Sequence, residues 1–379
     1  MINANANAMG IIFPNTYDYF VPELVSERLM ASIPFGGRYR MVDFLLSSMV
    51  NCGIDNVSVL VRSNYHSLMD HLGSGREWDL ARKKGGLSIF PPYAEKHMKK
   101  YSGRVEALYN VLPLLKSAKE KYVILADSNI AANFDFKSML DAHIASGADV
   151  TVAYAEEAIP EGLLKRDEGS NFYYTFKLDN GRVEKIYMNS KENGVQNLGM
   201  NIYIISRELL FEQINTAYLR GATYFERDVL ATQVDVLNIQ AYKYDGYFAR
   251  ICDMKSYFDE NMKLLDDDNL DALFSGNPIY TKIRDDNPTR YTPGASAKNS
   301  LVADGCVIEG EIENCVLFRG VKIGKGAKVK NCILMQDTVV GENAAMEYII
   351  TDKNVTISAD KKFNGTDSYP VFVGKRQVV

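Results

Sequence analysis

The sequence predicts an α/β domain with a parallel sheet, followed by a parallel β-helix. Three observations predict it. Residues 1–265 alternate short apolar runs with amphipathic stretches, and beyond Ile279 apolar residues recur every six positions. At 379 residues the chain is also long enough for two domains.

The strand-like runs include Val57–Val61 (VSVLV), Tyr122–Leu125 (YVIL), Val150–Tyr154 (VTVAY) and Asn201–Ile205 (NIYII). Helix-like stretches such as Val42–Cys52 and Arg104–Ser117 lie between them. Strand, helix, strand at this pace implies a parallel sheet with helices on both faces. Such sheets bind ligands on the loops at the carboxyl ends of their strands. The pattern breaks near Leu264–Asn269 (LLDDDN). Later, Leu317, Ile323 and Val329 form one six-residue run and Leu334, Val340 and Met346 a second, while Leu301 and Val307 share the step. Glycines 305, 310, 320, 324, 326 and 341 punctuate these runs. A six-residue step with small or polar residues between is the mark of a β-helix with three flat strands per turn. The expected division is 1–270, a linker over 271–290, and 291–379.

Apolar residues make up 46% and charged residues 24%, as in an ordinary globular protein. The formal net charge of −5 argues against a nucleic-acid or acidic-membrane partner. The five cysteines (Cys52, Cys252, Cys306, Cys315, Cys332) form no CxxC pair and match no zinc frame. They read as buried thiols in a reducing cytosol. The opening MINANANAMG lacks the basic and apolar regions of a secretory signal, and no run of 18 apolar residues is present. The expected location is cytoplasmic.

Six segments carry a resemblance. They are Phe35–Phe44 (FGGRYRMVDF), Asn51–Ile54 (NCGI), His71–Trp78 (HLGSGREW), Gly246–Leu265 (GYFARICDMKSYFDENMKLL), Ile279–Tyr291 (IYTKIRDDNPTRY) and Asn299–Met335, which begins NSLVADGCVIEGEIENC. Together, and in this order, they resemble glucose-1-phosphate adenylyltransferase, or ADP-glucose pyrophosphorylase. Within that family the chain resembles the catalytically degenerate regulatory type, GlgD. The resemblance implies a Rossmann-like nucleotidyltransferase domain, a left-handed β-helix of hexapeptide repeats, and a tetramer. The family's enzymes join ATP and glucose 1-phosphate, with Mg2+, to give ADP-glucose and pyrophosphate; ADP-glucose feeds glycogen synthesis.

Nucleotidyl transfer needs backbone N–H groups around the phosphates, carboxylates on a metal, and cations where charge develops. The family uses a Gly-rich loop carrying an Arg, a Lys on the next turn, a sugar-phosphate Lys and two metal Asp residues. Here the loop position holds Asn15, Thr16, Tyr17 and Asp18, with no glycine between Gly10 and Gly36. Phe20 stands at the Arg position, Met30 at the loop Lys and Asn189 at the sugar-phosphate Lys. Asp127 matches the first metal carboxylate, but Arg250 occupies the second position. Asp253 is discounted as a substitute because it should start on the opposite face of a strand. Lys191 reads either as a stand-in for the missing Lys or as a solvated surface residue.

Basic residues persist elsewhere: Arg38, Arg40, Arg319, Lys322, Lys375 and Arg376. In the resembling enzymes, anionic effectors bind between the domains using cations from these regions. The six therefore read either as an effector site or as solvated surface charges. Arg38 and Arg40 share one side if their segment is extended and diverge if it is helical. The leading expectation is a non-catalytic regulatory subunit that requires no cofactor of its own. Its expected partner is a catalytic ADP-glucose pyrophosphorylase subunit, in a hetero-tetramer that takes Mg2+ and ATP, with a small anionic effector. The alternatives are an active adenylyltransferase using altered residues and a free-standing sensor. A hexapeptide acyltransferase is disfavoured, because His66, His71, His97 and His143 all lie outside the β-helix.

Overall fold

The computed structural model describes residues 6–92, 101–164 and 173–379. His97 lies outside them. The N-terminal domain is built on a nine-stranded sheet. Its strands run, in spatial order, Gly86–Phe90, Asn56–Leu60, Ala8–Phe13, Tyr122–Asp127, Val195–Ser206, Val150–Ala158, Ile239–Lys243, Arg182–Met188 and Tyr174–Asp179. Every residue of Ala8–Phe13 is buried, as expected of a central strand covered on both faces. Ala8 and Ile12 join one core with Leu46 and Met139; Met9, Ile11 and Phe13 join the other with Leu108 and Ile214. The two cores flank the sheet because successive side chains leave a strand on opposite faces.

The first four strands in that order are mutually parallel. Val195–Ser206 corrects the expectation of a parallel sheet, since it runs antiparallel to both its neighbours. The far edge is an antiparallel hairpin. A buried apolar run records burial but not strand direction, which is why the sequence pattern missed this. The expected helix over Arg104–Ser117 is two helices, Arg104–Asn110 and Leu112–Ser117. Pro113 sits at the start of the second, where its missing N–H does no harm.

The C-terminal domain is a left-handed parallel β-helix of three five-stranded sheets. Val316 pairs with Ile333 and Ile333 with Ile350, so these coils take seventeen residues rather than eighteen. One corner per coil is tight, and Asn299, Asn314 and Asn331 turn it at positive φ. Asparagine tolerates that region better than most residues. The amides also form a ladder: Asn299 Nδ2 donates to Asn314 Oδ1 (2.8 Å) and Asn314 Nδ2 to Asn331 Oδ1 (3.2 Å). The tight corner explains why the six-residue step is broken between Val329 and Leu334.

Leu317, Ile323, Val329, Leu334, Val340 and Met346 fill the β-helix interior. Leu301 and Val307 do not continue this set. Their neighbours Val302 and Ile308 pair with Leu317 and Ile323 instead. The coil from Leu301 to Val316 is shorter still, fifteen residues, and Leu301 and Val307, though six apart, each lie one position before the interior residue and so on the opposite face.

The misassigned face has its own role. Val316, Ile333 and Ile350 point outward and share a core with Phe35, Phe44, Tyr257 and Phe258 of the first domain. Arg28 Nη2 adds a buried bridge to both oxygens of Asp352, at 2.6 and 2.9 Å. The helix Asp267–Phe274 extends past residue 270, and the first β-helix strand is Arg290–Tyr291. All five cysteines are buried thiols, and among the described residues no helix is long and apolar enough to cross a membrane.

Candidate functional site

Strand Ala8–Phe13 delivers the chain to the loop Asn15–Phe20 at the sheet's carboxyl edge. No residue from Ala8 to Phe35 has a positive φ, so no left-handed turn opens backbone N–H groups toward a phosphate. Side chains close the loop on itself. Asn15 Oδ1 accepts the Arg62 N–H (2.8 Å), and Asn15 Nδ2 donates to Asp18 (2.6 Å). The other Asp18 oxygen accepts the Met30 N–H (2.7 Å). Burial pushes the Asp18 carboxyl up to about 6 against these lowering hydrogen bonds. Phe20 stacks on Tyr17 with centroids 4.8 Å apart, and Met30 is buried in the same core. The two positions that should be cationic are therefore part of the hydrophobic packing.

Asp127 ends the strand Tyr122–Asp127 and is 1% exposed. Thr16 Oγ1 donates to one of its oxygens (3.0 Å) and Arg104 Nη2 binds the other (2.5 Å). The second amino group of Arg104 pairs with Glu226. The Arg104 guanidinium also lies over the rings of Phe13 and Tyr203, 4.9 and 5.5 Å from their centroids. Gly103 permits this helix start, because a Cβ there would collide with the Thr223 carbonyl. Burial raises the Asp127 carboxyl pKa, opposed by Arg104. A hard divalent cation needs carboxylate oxygens it can reach, and both of these already accept a hydrogen bond within a buried side chain whose counter-charge is Arg104. The residues present do not fit a catalytic metal.

Arg250, at the second metal position, is fixed by Glu157. Its Nε donates to Glu157 Oε1 (2.9 Å) and its Nη1 to the Gly199 carbonyl (3.1 Å). Asp253 is the N-cap of the helix Met254–Lys263, accepting from Ser256 N at 2.7 Å. It is unavailable for that reason, not because it lies across a strand. Asn189 takes a positive φ of 50°, and its side-chain oxygen accepts the Tyr173 N–H (3.2 Å). Lys191 is exposed. What remains of the cleft is a cavity of about 280 Å³ lined by Tyr17, Tyr19, Tyr101, Tyr174 and Tyr224, beside Arg62 and Arg104.

A second cavity, of about 560 Å³, lies between the domains. Seven cations line it: Arg38, Arg40, Lys282, Arg284, Arg319, Lys353 and Lys375; the one lining carboxylate among the described residues is Asp70. Strands Pro34–Phe35 and Tyr39–Arg40 form a small hairpin, and Arg40 is extended at φ −124°. Arg38 and Arg40 consequently line the same space. Arg40 Nη1 is partly committed, donating to the Ser67 carbonyl (2.7 Å). His71 is held by Asp43 (2.6 Å) and lies edge-on to Trp78, at 5.8 Å between centroids.

Lys322 and Arg376 are absent from this lining. Both are exposed on the β-helix surface, which corrects their grouping with Arg38 and Arg40. Sequence reasoning missed Lys282 and Arg284, although both lie within the Ile279–Tyr291 segment that carries the resemblance, and Lys353, which no local motif marks. Arginine and lysine at this density suit capture of a phosphate.

Scaffold and cleft together define a nucleotidyl transferase class. The profile of the Nucleotidyl transferase family matches residues 24–266, and that of the GlmU-like C-terminal hexapeptide family matches 283–368. The chain is 36% identical over 372 residues to the glycogen biosynthesis protein GlgD of Bacillus subtilis (strain 168), covering 98% of this chain and 96% of that protein. It is 34% identical over 303 residues to the glucose-1-phosphate adenylyltransferase of Geobacillus stearothermophilus, covering 79% and 76%. The chain belongs to the nucleotidyl transferase family and, within it, to the group that holds GlgD and glucose-1-phosphate adenylyltransferase.

Proposed function

We propose that this chain is a non-catalytic regulatory subunit of ADP-glucose pyrophosphorylase. It assembles with a catalytic paralogue, as a hetero-tetramer, and modulates ADP-glucose synthesis for glycogen. The observation that carries this reading is the fate of Asp127, whose two oxygens are taken by Thr16 and Arg104. Removing one charge-stabilising contact typically costs about 10²-fold or more in rate. Here the cradle, three cationic positions and the second metal position are altered together while the retained Asp127 is bound by Arg104, and such losses act on one transition state. Mg2+ and ATP then act at the partner's site, and this chain requires neither.

The interdomain cavity gives the subunit something to regulate with. A ligand shifts a neighbour only if it binds the neighbour's active and inactive states unequally. An anionic metabolite held between two packed domains is placed to do this, because both domains contribute its contacts.

The test is co-expression with a catalytic paralogue from the same cell. The expected result is a stable mixed oligomer whose response to sugar phosphates differs from that of the catalytic subunit alone. Failure to co-purify, or identical responses, would contradict the proposal.

A further inference from the structure

The tight corner of the β-helix is a column of equivalent positions. Asn299, Asn314 and Asn331 occupy it on three successive coils, and Tyr348 and Gly365 take the same position on the next two. Tyr348 adopts φ 52° there. Asparagine visits this region readily, whereas a bulky ring does so at a cost. The strained residue is the one that sets an aromatic ring at the end of the amide column. That ring lies 6.2 Å from Phe258 between centroids, and its hydroxyl has no hydrogen-bond partner among the described residues. Beside the column runs an open groove of about 760 Å³, whose far wall carries Asp259, Met262 and Asp266 from the helix Met254–Lys263 and the turn after it. The strands Val316–Leu317 and Ile333–Leu334 run between this groove and the cationic cavity: Asn314 and Asn331 precede them, and Arg319 and Gln336 follow.

Each wall offers one kind of hydrogen bond. An amide Nδ2 carries two hydrogens, and the ladder uses one from Asn299 and one from Asn314, which leaves a donor on each. Opposite them, Asp266 spends one oxygen capping the helix Asp267–Phe274, and Asp259 spends one on Lys255 (2.5 Å). Asp367 also lines the groove and has no partner among the described residues. Against these three carboxylates stands Lys263, itself held by Glu260 (2.6 Å). An anion is disfavoured here, and a cation would meet the amide hydrogens. A peptide strand finds no open edge, because the Asn331 N–H goes to the Glu313 carbonyl (3.0 Å) and the Tyr348 N–H to the Lys330 carbonyl (3.3 Å). A saccharide fits both walls: its neutral hydroxyls accept from amides and donate to carboxylates. The C–H face of a pyranose ring also packs on an aromatic ring. Coils stack about 4.8 Å apart, so the column from Asn299 to Tyr348 spans roughly 14 Å and suits a linear chain. We propose that this groove binds a neutral, linear α-glucan, with Tyr348 as its stacking platform and the asparagine column as its hydrogen-bonding wall. The α linkage rests on reading the chain as a subunit serving glycogen synthesis; the groove's own chemistry asks for a neutral saccharide.

The experiment is calorimetric titration of the full-length chain with maltoheptaose, and with cellohexaose as the β-linked counterpart. The expected result is maltoheptaose binding that is unchanged between about 0.1 and 1 M salt, since a neutral ligand is not screened. Tyr348→Asn should weaken it about tenfold by removing the stacking face. Its melting temperature should not fall, because asparagine adopts φ 52° more readily than tyrosine. Asn299→Gly keeps the left-handed corner, removes one amide, and should weaken binding roughly threefold to tenfold. Binding unchanged in Tyr348→Asn, or affinity that collapses with salt, would overturn the site. Cellohexaose bound in place of maltoheptaose would overturn the α-glucan assignment. Neither sugar bound at about 10 mM would overturn the inference altogether, and would leave the subunit reading, which co-purification tests, untouched.

Discussion

In the cleft at the strand ends, Arg104 meets Asp127 and Glu226, and Arg250 meets Glu157. In the cavity between the domains, seven cations and, among the described residues, one carboxylate form the lining, and Asp286 and Glu27 pair Arg284, Arg319 and Lys375 from outside it. The cleft pairs Arg104 and Arg250 with its own carboxylates, and Arg62 is the cation of its lining with no ion pair among the described residues. Among the described residues Lys282, Arg284, Arg319 and Lys375 pair with Asp70, Asp286 and Glu27, whereas Arg38, Arg40 and Lys353 form no ion pair, an excess that an incoming anion would balance. On the proposed reading, this contrast separates loss of function at one place from readiness for a ligand at another. An arginine beside a carboxylate is internal structure; an arginine or lysine without one is available for recognition.

The largest expected effect comes from breaking the matched side. Arg104→Met leaves Asp127 and Glu226 buried without their cation. Removing one partner of a buried pair typically costs about 3–5 kcal/mol, so urea denaturation should show a loss of that size. A loss under about 1 kcal/mol would mean that Arg104 is not a structural cation, and the contrast would fail.

Asp18 gives the next effect, through pH. Its folded pKa of about 6 lies above the ordinary 3.8, so the folded state binds a proton first. Stability should therefore rise as pH falls from about 7 toward about 4. Relative to Asp18→Asn, the wild type should gain about 2–3 kcal/mol over that range. Parallel pH–stability curves for the two proteins would show that the loop is more open to water than its hydrogen bonds indicate.

On the unmatched side, Arg38→Ala should weaken glucose 6-phosphate binding about tenfold, the typical worth of a lost charge-assisted hydrogen bond. Stability should stay within about 0.5 kcal/mol, because Arg38 is exposed. Arg40→Ala should cost affinity and some stability together, since it also releases Ser67. The smallest effect belongs to Lys322→Ala and Arg376→Ala. Neither should change the binding curve, and a tenfold change in either would redraw the cavity.

The substitutions were legible in the sequence because the resemblance supplied their positions: Phe20, Met30, Asn189 and Arg250 stand out against it. Their consequences were not. Asp127 looked like a surviving ligand, and nothing near it in the chain announces that Arg104 and Glu226 fold onto it. The β-helix was legible from Leu317 to Met346 because burial repeats there at a fixed step. It was misread at Leu301 and Val307, where coil length is set by a corner and not by the apolar pattern. Lys353 had no signal at all. Its character depends on Arg28 reaching across the domain boundary to take Asp352.

The central claim is that this chain's own cleft does no chemistry. The direct measurement is turnover by the purified chain alone, with ATP, glucose 1-phosphate and Mg2+, and in reverse with ADP-glucose and pyrophosphate. The predicted result is no detectable product in either direction. A turnover number within tenfold of the enzyme median of about 10 s⁻¹ would contradict it.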